Sequence, residues 1–200
     1  MFIAFPERLG KYGAVDYLKE RMGIMVNLDS RNMCQESRGY RILRVDSRDV
    51  PLAVETGALF GITGYDWYQD YFLANQELSP KIVEQLDFGK AEICAFKASG
   101  KMRKPAVVVT PYENIAKDYL KKMGITFVDL YGNPGQVTCR RGKTEGWVKS
   151  GLADIAIDNK NSGLTQQETG LVMYGKIMDS YAIVISMEEN KYKVKEILRL

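Results

Sequence analysis

The chain has 200 residues, of which 46% are hydrophobic and 26% are charged, and its formal net charge is +3. This composition is typical of a globular protein, and no apolar run reaches the roughly 20 residues of a membrane span. The mild positive charge gives no reason to expect nucleic acid and suits a small anionic ligand equally well. Histidine is absent, which excludes Ser-His triads and most catalytic zinc sites.

The cysteines and the amino terminus further limit the metal sites and the cellular location that we expect. Cys34, Cys94 and Cys139 form no CxxC pair and no zinc-binding pattern, so we expect reduced thiols and no metal site built by the protein. The apolar stretch at the amino terminus is too short for a signal peptide, which favours a cytoplasmic protein that contacts no membrane.

The first half of the chain alternates apolar runs with amphipathic segments. Strands are predicted at 2–5, 40–45 and 60–63, and a helix is predicted at 12–22, where apolar residues recur at helical spacing. A second helix follows Asp49, which suits a capping position, and it ends at Gly57.

The second half continues the alternation. Strands are predicted at 91–98, 106–110, 125–131, 153–157 and 181–187, and helices at 112–123 and 191–200. Between them, Gly132-Asn133-Pro134-Gly135 is a strong turn pattern within a stretch that resembles an insertion or a hairpin. Strands alternating with helices predict an α/β fold with largely parallel sheets.

A polar, glycine-containing segment follows the strand at 153–157. It runs from Asp158 to Thr165, and it offers the hydroxyl donors of Ser162 and Thr165, the charge of Lys160 and the small Gly163. Backbone N–H groups in such a turn can bind an anion, and a glycine lets the backbone approach closely. The alternative is an ordinary strand-to-helix connection with a serine cap.

Several motifs occur in one order along nearly the whole chain. They are Phe5-Pro6-Glu7-Arg8-Leu9, Arg48-Asp49-Val50-Pro51, Gly61-Ile62-Thr63-Gly64-Tyr65-Asp66, Asp87-Phe88-Gly89-Lys90, Thr110 to Ala116, Gly142-Lys143-Thr144-Glu145, Gly151-Leu152-Ala153-Asp154, Asp158 to Thr165, and Asp179-Ser180-Tyr181-Ala182-Ile183-Val184. This order resembles the ATP phosphoribosyltransferase family, whose members catalyse the first step of histidine biosynthesis. The family's counterparts at three positions read Leu-Pro-Lys-Gly-Arg-Leu, Gly-Ser-Val-Glu and Asp-x-Val-Ser-Thr-Gly-Thr-Thr, so this chain departs from the family at Glu7 and in the segment after Asp158.

The resemblance implies a two-lobed fold of the type II periplasmic-binding-protein kind, with a cleft between the lobes. Residues 1–92 and 180–200 would form lobe I, and residues 93–179 would form lobe II with the phosphoribosyl pyrophosphate loop at 158–165. The chain ends before the regulatory domain of the long form, so it resembles the short form. Members of that form are oligomers that work with a histidyl-tRNA-synthetase-like partner.

The implied reaction transfers the 5-phosphoribosyl group from phosphoribosyl pyrophosphate, carried as its Mg²⁺ complex, to ATP with release of pyrophosphate. Positive charge builds on the ribose as pyrophosphate leaves, so positioning and electrostatics suffice for a histidine-free chain. Two alternatives stay open: a related transferase with another base as acceptor, and a non-catalytic nucleotide- or ligand-binding protein on the same fold.

The resemblance also implies roles for residues. Arg31 and Arg48 would clamp pyrophosphate or ATP phosphates, aided by Arg8, and Asp158 would hold the ribose hydroxyls. Glu145 would face the nucleotide, and Asp154 could be structural or functional. The remaining substrate-binding residues would hold the 5′-phosphate: Asn161, Ser162, Gly163, Leu164 and Thr165. For each arginine the alternative is a solvated surface side chain, and Glu145 could simply open a helix.

An aromatic cluster lies shortly after the strand at 60–63. It comprises Tyr65, Trp67, Tyr68, Tyr71 and Phe72. Aromatic side chains can stack on a nucleobase, but packing in the core or at an interface is the favoured interpretation.

Overall fold

The computed structural model describes residues 1–75, 77, 80–160 and 170–200. These residues form two compact units: Met1–Lys90 with Tyr181–Leu200, and Ala91–Ser180. Within each unit a mixed β-sheet carries helices, and none of the helices in the described part of the chain is long and apolar enough to cross a membrane.

The elements up to residue 90 are β1 (Phe2–Pro6), α1 (Glu7–Leu9), a π-helical turn (Gly10–Ala14), α2 (Val15–Met22), β2 (Cys34–Ser37), β3 (Tyr40–Val45), α3 (Val50–Glu55), β4 (Phe60–Gly64), α4 (Tyr65–Ala74) and β5 (Lys81–Gln85). Those of the second unit are β6 (Ala91–Lys97), β7 (Ala106–Thr110), α5 (Glu113–Lys122), β8 (Phe127–Val128), β9 (Thr138–Cys139), α6 (Thr144–Lys149), β10 (Ile155–Asn159) and β11 (Val172–Ser180). The chain then returns to the first unit with β12 (Ala182–Ser186), a 3-10 turn (Glu188–Asn190) and α7 (Lys191–Leu198).

The sheet of the first unit has the strand order β2-β3-β1-β4-β12-β5. Strand β1 is parallel to both β3 and β4, whereas β2, β12 and β5 each run antiparallel to a neighbour. The carboxyl ends of β1, β3 and β4 therefore meet at one edge of this sheet.

Both faces of this sheet are buried. Alternate residues of β1 and β12 point to opposite sides, so Ile3 and Val184 belong to a core shared with α2 and α7. Ala4 and Ile183 belong to a second core shared with α3 and α4. Helices on both faces explain why β1, β4 and β12 read as continuous apolar runs rather than as alternating patterns.

The sheet of the second unit has the strand order β11-β6-β10-β7-β8, with β9 also paired to β7. Strand β10 lies parallel to β7 and antiparallel to β6. The carboxyl ends of β7 and β10 and the amino end of β6 therefore share one edge. One face of this sheet forms a core with α6 through residues that include Cys94, Phe96, Val109, Ala156 and Val148.

The structure departs from the predicted elements in a few places. The helix predicted at 12–22 is interrupted, because Gly13 takes a φ of 128° and the regular helix begins only at Val15. The strand predicted at 125–131 is reduced to Phe127–Val128, since the Asp129 side chain accepts hydrogen bonds from Asn133 and turns the chain. Strands β2, β5 and β11 were not predicted, because their polar and charged residues hide the alternating pattern.

Candidate active site

The carboxyl edge of the second unit's sheet is built around the end of β10. Asp158 and Asn159 are its last two residues, and they lie opposite Cys94 and Ile93 at the beginning of β6. Ligands of open α/β sheets bind at the carboxyl ends of the strands, where the chain turns away from the sheet. This edge therefore places Asp158 where a substrate-binding carboxylate is expected.

Both oxygens of the Asp158 carboxylate accept hydrogen bonds from neighbouring elements. The Thr144 hydroxyl donates to Oδ2 at 2.6 Å, and the backbone N–H of Asn159 donates to Oδ1 at 2.7 Å. Thr144 is the first residue of α6 and is fully buried. The contact thus joins the amino terminus of α6 to the carboxyl end of β10 and fixes the plane of the carboxylate.

Glu145 follows Thr144 directly and lies in the first turn of α6, where it is half-buried. The Thr144–Asp158 contact therefore brings the two predicted carboxylates to the same edge of the sheet. A carboxylate in this position also suits the positive end of the helix dipole, so the structure is compatible with both interpretations of Glu145.

Residues 161–169 are outside the described part of the chain, so the predicted phosphate contacts of Asn161, Ser162, Gly163, Leu164 and Thr165 lie outside the described residues. Lys160, immediately before them, is described. Its backbone N–H donates to the Glu92 carbonyl at 2.7 Å, and its ammonium donates to Glu92 Oε2 at 2.9 Å. This double contact fixes the point at which the chain leaves β10.

Glu92 is shared between two lysines. Lys176 on β11 approaches Glu92 Oε1 at 3.0 Å and Asp179 at 2.7 Å. Hydrogen bonds from the two ammonium groups hold the pKa of Glu92 below its ordinary value, and Glu92 in turn raises the pKa of Lys160. Glu92, on the neighbouring strand β6, therefore partly neutralises the positive charge of Lys160 that the sequence predicted for anion binding.

Asp154 lies at the opposite edge of the same sheet, before the first residue of β10. Its Oδ2 accepts hydrogen bonds from Arg103 Nε and from the Val107 backbone, each at 2.8 Å, and its Oδ1 accepts one from the Arg103 backbone. The length of the strand separates it from Asp158, roughly 13 Å at the usual rise per residue. These contacts support a structural role for Asp154 rather than a role in binding substrate.

The three predicted arginines all lie at the carboxyl edge of the first unit's sheet. Arg8 follows β1 by two residues, and Arg48 follows β3 by three. Arg31 lies near the same edge because the chain two residues after it is paired with the end of β3. There the Arg44 backbone N–H donates to the Met33 carbonyl at 2.7 Å. All three side chains are exposed, and Arg48 contacts Asp49 at 3.3 Å. The structure thus places the three cations at one edge of the sheet.

Arg44 is a buried residue that the sequence reasoning missed. Its guanidinium, 5% exposed, donates to the carbonyls of Asn27, Leu28 and Ser30, and to Glu7 Oε1 at 2.9 Å. It therefore fastens the segment just before Arg31 to the residue just before Arg8. The alternating burial pattern of β3 could have revealed this residue. Arg44 lies two positions after the buried Ile42, and residues two apart in a strand point to the same face.

The turn that carries Arg48 is held from within the sheet. The buried Thr63 hydroxyl on β4 donates to the Ser47 carbonyl at 2.6 Å. Gly61, two residues earlier, allows α3 to pack closely, because a Cβ there would lie 2.4 Å from a Val50 methyl carbon. The Gly-Ile-Thr-Gly-x-Asp motif therefore holds the turn before Arg48 through Thr63 and lets α3 pack against β4 through Gly61.

The aromatic cluster is packed largely against itself and against β12. The rings of Tyr65 and Tyr181 stack with centroids 5.1 Å apart, and Tyr68 stacks on Tyr65 and on Phe72. Burial raises the pKa of Tyr68, and Tyr71 donates a hydrogen bond to Glu55. These contacts support packing rather than base stacking as the role of the cluster.

Comparison with known proteins decides the family. The family model for ATP phosphoribosyltransferase (HisG) matches residues 46–200, which include α3, β4 and the whole second unit. The chain belongs to the ATP phosphoribosyltransferase family. A relative from Sulfurovum sp. (strain NBC37-1), named ATP phosphoribosyltransferase, is 31% identical over 208 aligned residues, covering 99% of this chain and 93% of the relative.

Solved structures give the same fold at lower sequence identity. The ATP phosphoribosyl transferase (HisG:HisZ) complex from Thermotoga maritima contains a chain with a TM-score of 0.78 and 19% identity, covering 100% of this chain and 96% of that one. A histidine kinase sensor domain with similarity to periplasmic binding proteins follows at a TM-score of 0.56 and 10% identity, covering 100% of this chain and 87% of the domain. The α/β, periplasmic-binding-protein-like fold and the family expected from the motifs are both confirmed.

Proposed function

We propose that this member of the family transfers the 5-phosphoribosyl group of phosphoribosyl pyrophosphate to a ring nitrogen of ATP and releases pyrophosphate, as the first step of histidine biosynthesis. The observation that carries the proposal is the Asp158 carboxylate, which is fixed at the end of β10 where the family's ribose-phosphate segment begins. Family membership supplies the reaction class, and the position of Asp158 supplies the group that orients the ribose.

The bond changes demand little covalent help from the protein. The bond from ribose C1 to pyrophosphate breaks with its electron pair going to pyrophosphate, and the lone pair of an adenine ring nitrogen forms the new bond to C1. Because that nitrogen already carries a lone pair, the step needs no strong base, which agrees with a chain that has no histidine. Catalysis then rests on orienting the reactants and stabilising the departing charge.

Each described side chain has a role that its chemistry suits. The Asp158 carboxylate accepts hydrogen bonds from the ribose hydroxyls, and Glu145, at the same edge, contacts the nucleotide. The Arg8, Arg31 and Arg48 guanidinium groups pair with phosphate oxygens of pyrophosphate or ATP, for which their planar N–H donors are well shaped. Residues 161–165 hold the 5′-phosphate through hydroxyl and backbone donors.

Mg²⁺ enters this scheme as part of the substrate. The ion is carried by the pyrophosphate oxygens of the donor, as is usual for Mg²⁺ sites built from one or two carboxylates and substrate phosphates. The ion would neutralise charge on the leaving pyrophosphate.

Assembly and location follow from the same family. The similar Thermotoga maritima chain is part of a complex with HisZ. We infer that this chain likewise forms an oligomer with a histidyl-tRNA-synthetase-like subunit, and that it acts in the cytoplasm, where ATP and phosphoribosyl pyrophosphate are available.

A pyrophosphate-release assay across several nucleotides tests the proposal. The chain, alone and with its partner subunit, is given phosphoribosyl pyrophosphate, Mg²⁺ and one nucleotide at a time, and we expect release with ATP. Asp158→Asn should reduce kcat/KM for the donor about 100-fold, the loss expected when one precisely placed charged contact is removed. The matched control, Asp87→Asn, changes a carboxylate that is 93% exposed and should leave kcat/KM unaltered.

Three outcomes contradict the proposal in different ways. Release with another base but not with ATP identifies a related transferase. Binding of the donor, seen as thermal stabilisation without release, identifies a non-catalytic binding protein. Equal kcat/KM in the Asp158→Asn and Asp87→Asn variants removes Asp158 from the site.

A further inference from the structure

The buried hydroxyl of Thr144 has a strong acceptor. It donates to Asp158 Oδ2 at 2.6 Å, and the residue has no exposed surface. A hydrogen bond from a hydroxyl to an ionised carboxylate is expected at about 2.5–2.7 Å, and it is roughly twice as strong as one between neutral groups. The distance is therefore that of a charge-assisted bond to the substrate-binding carboxylate.

This bond restrains the orientation of the carboxylate from a second element. The Asn159 N–H holds Oδ1 from the following residue of the same strand. Thr144 adds an anchor from a different element, α6, and restrains Oδ2. A carboxylate that must meet two ribose hydroxyls works only in a narrow range of directions, because small misplacements cost large factors in rate.

We propose that Thr144 is a positioning residue that orients the Asp158 carboxylate for the ribose of phosphoribosyl pyrophosphate. The inference rests on the proposed function and adds a determinant of donor affinity within the same site. Thr144 itself does not touch the substrate, since its hydroxyl is engaged with Asp158 and its side chain is buried.

The test compares Thr144→Val, which keeps the branched shape but removes the hydroxyl, with Thr144→Ser, which keeps the hydroxyl. Pyrophosphate release is measured against donor concentration at saturating ATP, and then against ATP concentration at saturating donor. We expect Thr144→Val to raise the donor KM about tenfold, equal to about 1.4 kcal/mol, with the ATP KM changed less than about twofold. Thr144→Ser should stay within about twofold of the parent for both, and thermal unfolding checks that each variant is folded.

A double-mutant cycle separates orientation of Asp158 from general packing. In an Asp158→Asn background the Thr144→Val change should have little further effect on the donor KM, because the group that it orients is already lost. If the valine variant does not fold, Thr144→Ala enters the same cycle.

The failures are distinguishable. A parent that releases no pyrophosphate with any nucleotide, alone or with the partner subunit, overturns the proposed function and this inference together. An active parent whose Thr144→Val variant keeps the parental donor KM overturns the inference alone. The inference also fails if Thr144→Ser loses as much as Thr144→Val, or if the two effects in the cycle are additive.

Discussion

Replacing Arg44 by methionine should loosen the edge that carries the arginines. The variant keeps an unbranched apolar stem but removes the guanidinium and every donor, so the carbonyls of Asn27, Leu28 and Ser30 lose their partner. Glu7 loses its partner too, but its side chain is 45% exposed and can be hydrated at little cost.

The expected cost can be worked out from these contacts. Each lost bond joins a charged guanidinium to a carbonyl and is worth about 1.5 kcal/mol net, which gives about 4.5 kcal/mol in total. Arg44 Nε is buried without a hydrogen-bond partner among the described residues, and removing that orphan returns about 1 kcal/mol. The net loss is therefore about 3.5 kcal/mol in the unfolding free energy of the first unit.

The assay must report on the first unit alone, because two units can unfold separately. The chain has two tryptophans, Trp67 in the first unit and Trp147 in the second, so a Trp147→Phe background makes urea unfolding by fluorescence specific to the first unit. Arg41→Met is the matched control. It lies on the same strand, but its side chain is 58% exposed and its partner Glu36 is 73% exposed, so we expect a loss below about 0.5 kcal/mol. Equal midpoints for the two variants would refute the reasoning.

Three further changes probe other parts of the structure. Gly61→Ala should cost about 1–3 kcal/mol in urea unfolding, because its Cβ would lie 2.4 Å from a methyl carbon of Val50. Arg48→Ala should change stability by less than about 0.5 kcal/mol yet lower kcat/KM in pyrophosphate release about tenfold, and unchanged kinetics would remove Arg48 from the site. Glu92→Gln tests the pH dependence of stability. Lys160 and Lys176 lower the pKa of Glu92 from its ordinary value of 4.5, so the ion pairs of Glu92 contribute fully to stability above pH 4.5. This contribution is lost as the pH falls through the lower pKa of the folded state. The stability difference between parent and variant should therefore be constant at neutral pH and shrink in acid; a difference that does not depend on pH contradicts the ion pairs.

The central strands and the family could be predicted from sequence because their causes are local or are carried by ordered motifs. Strands buried on both faces, such as β1 and β12, are continuous apolar runs whatever their partners. Strands β5 and β11 could not be found in this way, because they lie at sheet edges and carry charged residues such as Glu84 and Lys176.

The candidate site was predictable only in part. The end of an apolar strand marks Asp158 in the sequence, whereas the neighbour that holds it, Thr144, is 14 residues away and looks like an ordinary residue at a helix start. Arg44 depends in the same way on carbonyls 14 to 17 residues distant. Such contacts become visible only when the fold brings the segments together. The phosphate contacts of residues 161–165 remain predictions.

The two departures at the described edges are best understood as pairs rather than as isolated losses. Glu7 stands near the family's lysine, and in this chain it accepts a hydrogen bond from the buried Arg44 guanidinium at 2.9 Å. A lysine there would place a second positive charge beside a cation that is 5% exposed, where like charges repel far more strongly than in water. Thr144 stands where the family has valine, and it holds Asp158. In the first pair Glu7 contacts the guanidinium that holds the segment before Arg31, and in the second Thr144 contacts the proposed ribose ligand itself, so substituting either residue alone would remove a contact. At both edges a charged group is therefore held by a contact with another element, which makes its placement sensitive to a single substitution.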